Sequence, residues 1–345
     1  MAKSRGRSRG RTKRLDEFAL IRRFFAPLAA DAPGAFGLGD DAAAVAVAPG
    51  RRLIVTTDAL VAGVHFPADE TAQSVAARLI GVNLSDLAAM GARPAAYVLA
   101  IALPRRCDVG WIKAFAGELG RQQKAHRITL IGGDTVATEG PLTACLTALG
   151  SVAKGRELRR SGARAGDLVF VSGSIGDATL GLKVVQHGIA GLGKRHADAL
   201  VGRYRRPRPR VRLGLGLVGL ATAAIDVSDG LIADLEHLAR ASRCTAEIDV
   251  ERVPLSAAAR AAIALDPRLR RRALTGGDDY ELAFTTPPSR RDAIAALARR
   301  LRLPLTEIGR IRRANMGGKG GTRPVDARDG AGRSLTFADA GYRHF

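Results

Sequence analysis

The sequence predicts an α/β (α+β) fold in two domains, and three observations carry that expectation. Strand-like apolar runs alternate with longer stretches of helical spacing along almost the whole chain, the pattern of sheets covered by helices. The length of 345 residues exceeds one ordinary domain. A polar, glycine-containing stretch, AKGRELRRSGARAG at 153–166, interrupts the pattern near the middle and reads as a boundary. We therefore expect a basic, disordered tail over 1–14, an N-terminal domain over 15–152 and a C-terminal domain over 153–345.

In order, Leu15–Phe25 has the apolar spacing of a helix, and a Pro/Gly/Ala loop then leads to GLGDDAA at 37–43. Arg52–Thr57 reads as a short strand ending on Asp58, Thr71–Met90 as a helix and Ala95–Leu103 as a strand closed by Pro104. Val109–Lys124 is amphipathic, Ile128–Ile131 is a strand running into Gly132-Gly133-Asp134, and Leu142–Val152 is a further strand. Beyond the boundary, Leu168–Val171 predicts a strand, and a helix follows SGSIGDA through Gln186. Pro207–Ala223 reads as a helix opened by prolines, followed by the turn DVSDG at 226–230 and a helix over Leu231–Ser242. A strand near Glu247–Val250, a helix from Ser256, the Gly turn and strand of TGGDDYELAF (275–284), a helix over Arg290–Leu301 and a strand near Glu307–Ile311 complete the pattern. Residues 313–334 are rich in Gly and Arg and read as a loop.

Composition removes several function classes. No apolar run approaches the ~20 residues of a membrane span, and the basic N-terminus lacks the apolar stretch of a secretory signal; a cytoplasmic protein is expected. Cys107, Cys145 and Cys244 form no CxxC pair, so neither a disulfide framework nor a zinc site is expected. The net charge is +21, and residues 1–14 carry seven basic side chains and no acidic one. Such charge attracts nucleic acid or anionic substrates. The chain has no recognised nucleic-acid module, and aromatics for stacking bases are only 4%, so anionic substrates are the preferred reading.

Acidic residues are a minority, yet Asp recurs beside Gly or after apolar runs: Asp40-Asp41, Asp58, Asp86, Asp134, Asp226, Asp229 and Asp278-Asp279. Singly, each suits a turn whose carboxylate bonds local backbone. Three features point the set elsewhere. Asp58, Asp134 and Asp226 each follow a strand-like run, which places them at strand ends, where α/β folds bind ligands. Adjacent carboxylates repel, a cost a cation would offset. The flanking Gly, Ser and Thr permit close approach to phosphate. Oxygen ligands without Cys or His suit Mg²⁺ or Mn²⁺, and several carboxylates suit more than one ion bridging a polyphosphate. The P-loop, protein-kinase and GxSxG motifs are absent. His65, in TTDALVAGVHF after Asp58, is either structural or a substrate contact.

The ordered series GDDAA (39–43), TTDALVAGVHF (56–66), NLSDLAAMGA (83–92), GGDT (132–135), RSGARAGD (160–167), DVSDGL (226–231), GGDDYEL (276–282) and GYRHF (341–345) resembles the thiamine-monophosphate kinases. These share a superfamily with aminoimidazole ribonucleotide synthetase and selenophosphate synthetase. The resemblance implies ATP-dependent phosphorylation of thiamine monophosphate by direct transfer, with several Mg²⁺ ions. It implies a homodimer whose N-terminal domains pair into a barrel-like core, beside a C-terminal mixed-sheet α/β domain. It implies Asp41, Thr56, Thr57, Asp58, Asp86, Asp134, Asp226 and Asp229 at metal, and Gly133, Asp134, Arg160 and Ser228 at ATP. His65, Asp278 and Tyr342 fall at the thiamine phosphate, where family members often carry Glu for Asp278 and Trp for Tyr342. A family aromatic near the adenine falls around Phe115–Ala116.

Overall fold

The structure, a computed structural model, describes residues 17–39, 42–314, 324–337 and 341. Asp40, Asp41, Tyr342, the tail 1–14 and residues 315–323 of the expected loop lie outside them.

The first half begins with α1 (Glu17–Leu20), which passes into a widened turn over Ile21–Phe25 and short 3₁₀ turns. Then come β1 (Arg51–Val61), α2 (Ala72–Ala89), β2 (Arg93–Pro104), α3 (Val109–His126), β3 (Thr129–Thr138) and β4 (Thr143–Ala153). The four strands form one sheet in the order β1-β4-β2-β3, with β2 and β3 parallel and the other pairs antiparallel. Helix α2 starts where Thr71 Oγ1 accepts from Ser74 N at 3.3 Å, a side-chain cap for an otherwise orphaned donor. Nearly every α2 residue is buried, because it packs against the first sheet on one side and elements of the second half on the other. Leu79, Ile80, Leu84 and Leu87 are at most 1% exposed, and truncating one such leucine to alanine costs about 2–5 kcal/mol.

The second half contains β5 (Leu168–Ser172), α4 (Asp177–His187), α5 (Lys194–Arg205), α6 (Val211–Leu217), β6 (Ala223–Asp226), α7 (Leu231–Ala241) and β7 (Cys244–Asp249). It continues with α8 (Ala257–Leu265), α9 (Leu269–Thr275), β8 (Leu282–Thr286), α10 (Arg291–Leu301), β9 (Leu305–Arg313), β10 (Val325–Arg328) and β11 (Ser334–Leu335). Its sheet runs β11-β10-β7-β9-β5-β8-β6 and is mixed, β10 and β7 being the parallel pair. The two-sheet α/β architecture is therefore as expected. Among the described residues, no helix is long and apolar enough to cross a membrane.

Several local expectations are corrected. Strand β1 does not end at Asp58 but continues to Val61, and β3 runs through Gly133-Asp134 to Thr138. Both are edge strands with one face largely exposed, so polar residues sit in the ladder without burial cost, and an apolar run understates their length. Only Asp226, of the three, closes its strand. Gly133 is required where it stands: a Cβ there would lie 1.9 Å from Leu99 O on β2. The single helix expected over Pro207–Ala223 is only α6, because Pro207 and Pro209 precede it and Gly219, at φ +83°, follows. Helix α5, dominated by charge, and the short α9 had no expected counterpart.

Candidate active site

The cleft between the two halves collects side chains from five segments. Strand β1 offers Thr56 and Asp58, and α2 offers Arg78, Ser85 and Asp86; Thr57, expected among them, instead faces the exposed side of β1, its Oγ1 accepting from Thr147 Oγ1 at 2.9 Å, because successive strand residues point to opposite faces. The end of β6 offers Asp226, the turn before α7 Ser228 and Asp229, and the loop before β8 Asp278 and Tyr280. A cavity of about 590 Å³ lies among Asp58, His65, Arg78, Ser228, Asp229 and Asp278, a size suited to a small-molecule ligand.

Three carboxylates, those of Asp58, Asp86 and Asp226, converge where Asp58 meets the cavity. Thr56 Oγ1 donates to Asp86, and Ser85 Oγ donates to Asp226 Oδ2 at 2.8 Å. Burial first, then the charge of Asp86 and a hydrogen bond shared with it, push the Asp58 carboxyl up to about 7. Asp226 is likewise pushed up to about 7 by burial and by the charges of Asp86 and Asp58, against the opposing pull of Ser85 and Arg160. Burial also raises Asp86, while Thr56 and the Arg160 guanidinium stabilise its ionised form. Acids this crowded would be relieved by a cation. Among the described residues no three His, Cys, Asp or Glu side chains close tightly enough to cage an ion alone. A pairwise donor set fits Mg²⁺, which is commonly held by one or two carboxylates together with substrate phosphate and water.

The turn carrying Ser228 and Asp229 is held from behind. Asp234 accepts from the backbone N–H groups of Ser228, Asp229 and Gly230 at 3.0, 3.1 and 3.1 Å. Gly277 lets the neighbouring loop approach, since a Cβ there would lie 2.1 Å from Ser228 O. Also lining the cavity, Asp278 Oδ1 accepts from Arg78 Nη2 and from Tyr280 Oη, each at 3.0 Å. Asp278 and Tyr280 have φ of +75° and +51°, uncommon for residues with a side chain and a form of strain that collects at ligand sites. His65 sits in a tight turn after β1, its Nδ1 accepting from Val61 N at 3.0 Å.

Not every expected residue joins this group. Gly133 and Asp134 lie on β3, at the opposite edge of the sheet from β1, on rows where Asp58 pairs with Leu146, Leu146 with Leu99, and Leu99 with Gly133. Three strand spacings of ~4.8 Å put them about 14 Å from Asp58 within one chain. They line a second cleft with Ala42, Ala43, Phe25 and Val98. Asp41 and Tyr342 lie outside the described residues. Phe115 is fully buried and stacked on Trp111 with centroids 5.2 Å apart, so it faces no adenine. Sequence reasoning missed Arg78, Ser85, Asp234, Tyr280 and Arg272, the last lining the cavity from the end of α9. An arginine inside the apolar stretch VAARLIGV was the one available signal.

Residues 39–152 match the N-terminal domain of AIR synthase related proteins and residues 164–318 match their C-terminal domain. The two matches together make the chain an AIR synthase related protein over most of its length. Within that class, the chain is 39% identical to a thiamine-monophosphate kinase of Haemophilus influenzae, covering 96% of this chain and 98% of that protein. A crystal structure of thiamine-monophosphate kinase from Stenotrophomonas maltophilia superposes with a TM-score of 0.81 at 43% identity, over 93% of this chain and 98% of that one. A structure described as AaThiL complexed with AMPPCP and TMP superposes with a TM-score of 0.75 at 31% identity, over 97% and 99%. The chain belongs to the thiamine-monophosphate kinase family.

Proposed function

We infer that this enzyme transfers the γ-phosphoryl group of ATP to thiamine monophosphate, giving thiamine diphosphate and ADP. The observation that carries this reading is the crowded Asp58–Asp86–Asp226 group beside a cavity that Asp58 shares with His65, Ser228, Asp229 and Asp278. Its site residues, unlike its family, are our assignment.

Asp58, Asp86 and Asp226, with Thr56 and Asp229, would hold Mg²⁺ against the ATP phosphates, and Asp41 would join them. The bound ions would neutralise phosphate charge and act as Lewis acids. Ser228 and Arg160 contact the nucleotide phosphates; Arg160 already stabilises the charge of Asp86. His65, Asp278 and Tyr342 orient the thiamine phosphate. The acceptor oxygen is ionised at neutral pH, so the chain need not supply a strong general base. Its work is alignment and exclusion of water, both of which a rigid cleft provides.

Gly133 and Asp134 enter this scheme through dimerisation. Leu53 and Val55 on β1 and Val136 on β3 are exposed apolar side chains of the first sheet, and β1 and β3 are its edge strands. Closure of two such sheets into a barrel would cover them, and would bring the Gly133 edge of one chain to the Asp58 edge of the other. Equilibrium sedimentation tests the homodimer.

The activity is tested by ADP release with thiamine monophosphate, thiamine or unrelated phosphates, with and without Mg²⁺. ADP release that requires both thiamine monophosphate and Mg²⁺ is expected. Equal release with thiamine, or without metal, would overturn the reading.

A further inference from the structure

Away from the candidate active site, a second cavity of about 640 Å³ opens at the seam between the two halves, where the ends of α3 and α10 meet α6 and β2. Arg93, Arg127, Arg210, Arg212, Arg302 and half-buried His126 line it, and no acidic side chain does so among the described residues. Arg210 is committed elsewhere, in a bidentate pair with buried Glu281. The guanidinium groups of Arg93, Arg127, Arg212 and Arg302 have no ion pair or hydrogen bond among the described residues. The floor is apolar, with leucines such as Leu213 and Leu301.

Two of these arginines stand in an unusual conformation. Arg127 caps α3 at φ 54°, ψ 48°, and Arg302 caps α10 at φ 51°, ψ 42°, a left-handed region that glycine and asparagine occupy more readily. A cation at a helix C-terminus complements the helix dipole, which accounts for one positive charge at each end. It does not account for Arg93 and Arg212 converging on the same hollow, or for the lack of acid there. Unneutralised charge of one sign in a concave, leucine-floored site focuses a positive potential.

We propose that this cleft is a second ligand site, separate from the phosphoryl-transfer site, for a small anion bearing two or more phosphates. Guanidinium forks match phosphate oxygens in bidentate fashion, and the volume admits a nucleotide-sized molecule. Arg210, which lines the cleft, is held by its pair with Glu281, just before β8.

The test is calorimetric titration of the full chain with inorganic triphosphate in EDTA, which removes the divalent metal that the carboxylate site needs. One triphosphate per chain is expected, with affinity reduced roughly tenfold or more in the Arg127→Asn/Arg302→Asn double variant and unchanged in Asp58→Asn. Asparagine tolerates the left-handed caps, so the double variant should melt and turn over substrate like the parent. Absence of saturable binding, undiminished binding in the double variant, or loss in Asp58→Asn would each overturn the proposal. Tighter binding of a short single-stranded RNA, lost in the double variant, would also overturn it by assigning the cleft to nucleic acid.

Discussion

Arg78 Nη2 lies 3.0 Å from Asp278 Oδ1, joining the middle of α2 to the loop before β8 across 200 residues of sequence. The same arginine donates to Tyr204 O at 2.7 Å and to His65 O at 3.4 Å, and its guanidinium lies 4.4 Å from the centre of the Tyr204 ring. It is 1% exposed. One buried cation thus fixes both elements that face the proposed thiamine site.

Arg78→Met should therefore destabilise the protein by about 1–3 kcal/mol, since the Tyr204 carbonyl it leaves unpaired is buried while Asp278 keeps some access to water. Arg78→Lys keeps the charge and should recover part of that loss. In steady-state kinetics Arg78→Lys should raise KM for thiamine monophosphate more than KM for ATP. Equal effects on both substrates would reduce Arg78 to a purely structural role.

Asp58→Asn removes one charge from a crowded group. In EDTA the variant should melt at or above the parent temperature, because the repulsion with Asp86 is relieved. Turnover should fall by about three orders of magnitude or more, on the scale of losing a main electrostatic element. Mg²⁺ with an ATP analogue should stabilise the parent and not the variant. Parent-like kinetics at saturating Mg²⁺ would remove Asp58 from the metal site.

The raised carboxyls also set a pH dependence. Asp58 and Asp226 move from 3.8 to about 7, so between those values the folded chain binds protons that the unfolded chain has released. Metal-free stability should be greatest in acid, fall as pH rises through about 4 to 7, and level off above. Mg²⁺ competes with those protons, so its apparent affinity should rise over the same window. Melting curves in EDTA and in Mg²⁺ at about pH 5 and about pH 8 measure both effects.

Asp234→Ala leaves three backbone N–H groups of the 228–230 turn without their acceptor. A loss of about 1–3 kcal/mol is expected, with a rise in KM for ATP because Ser228 and Asp229 are no longer held. Asp234→Asn retains one acceptor oxygen and should lie between the two. An unchanged KM for ATP in both variants would separate this turn from nucleotide binding.

How much of this was legible in the sequence differs by kind of residue. The α/β alternation and most elements were readable because apolar periodicity records which face is buried, as in β4, whose residues alternate in burial along its length. The carboxylates Asp58, Asp86 and Asp226 were readable because acid beside Gly, Ser and Thr stands out in a basic chain. Strand ends were not, since β1 and β3 keep pairing through polar residues at the sheet edges. The partners of Arg78 and Asp234 were invisible for another reason. Their roles depend on contacts set by the packing of α2 and α7, and no local spacing encodes a partner at Asp278 or at a turn's backbone. The separation of Asp134 from Asp58 is likewise a property of strand order, which the motifs do not carry.

Direct transfer between two bound phosphates leaves its record in the fate of the γ-phosphate. Reaction of γ-labelled ATP with thiamine monophosphate and Mg²⁺ should place the label in thiamine diphosphate, one for each ADP formed, with none on the protein. Asp58→Asn should abolish the transfer. Label recovered as inorganic phosphate or bound to the chain, with no labelled thiamine diphosphate, would contradict it.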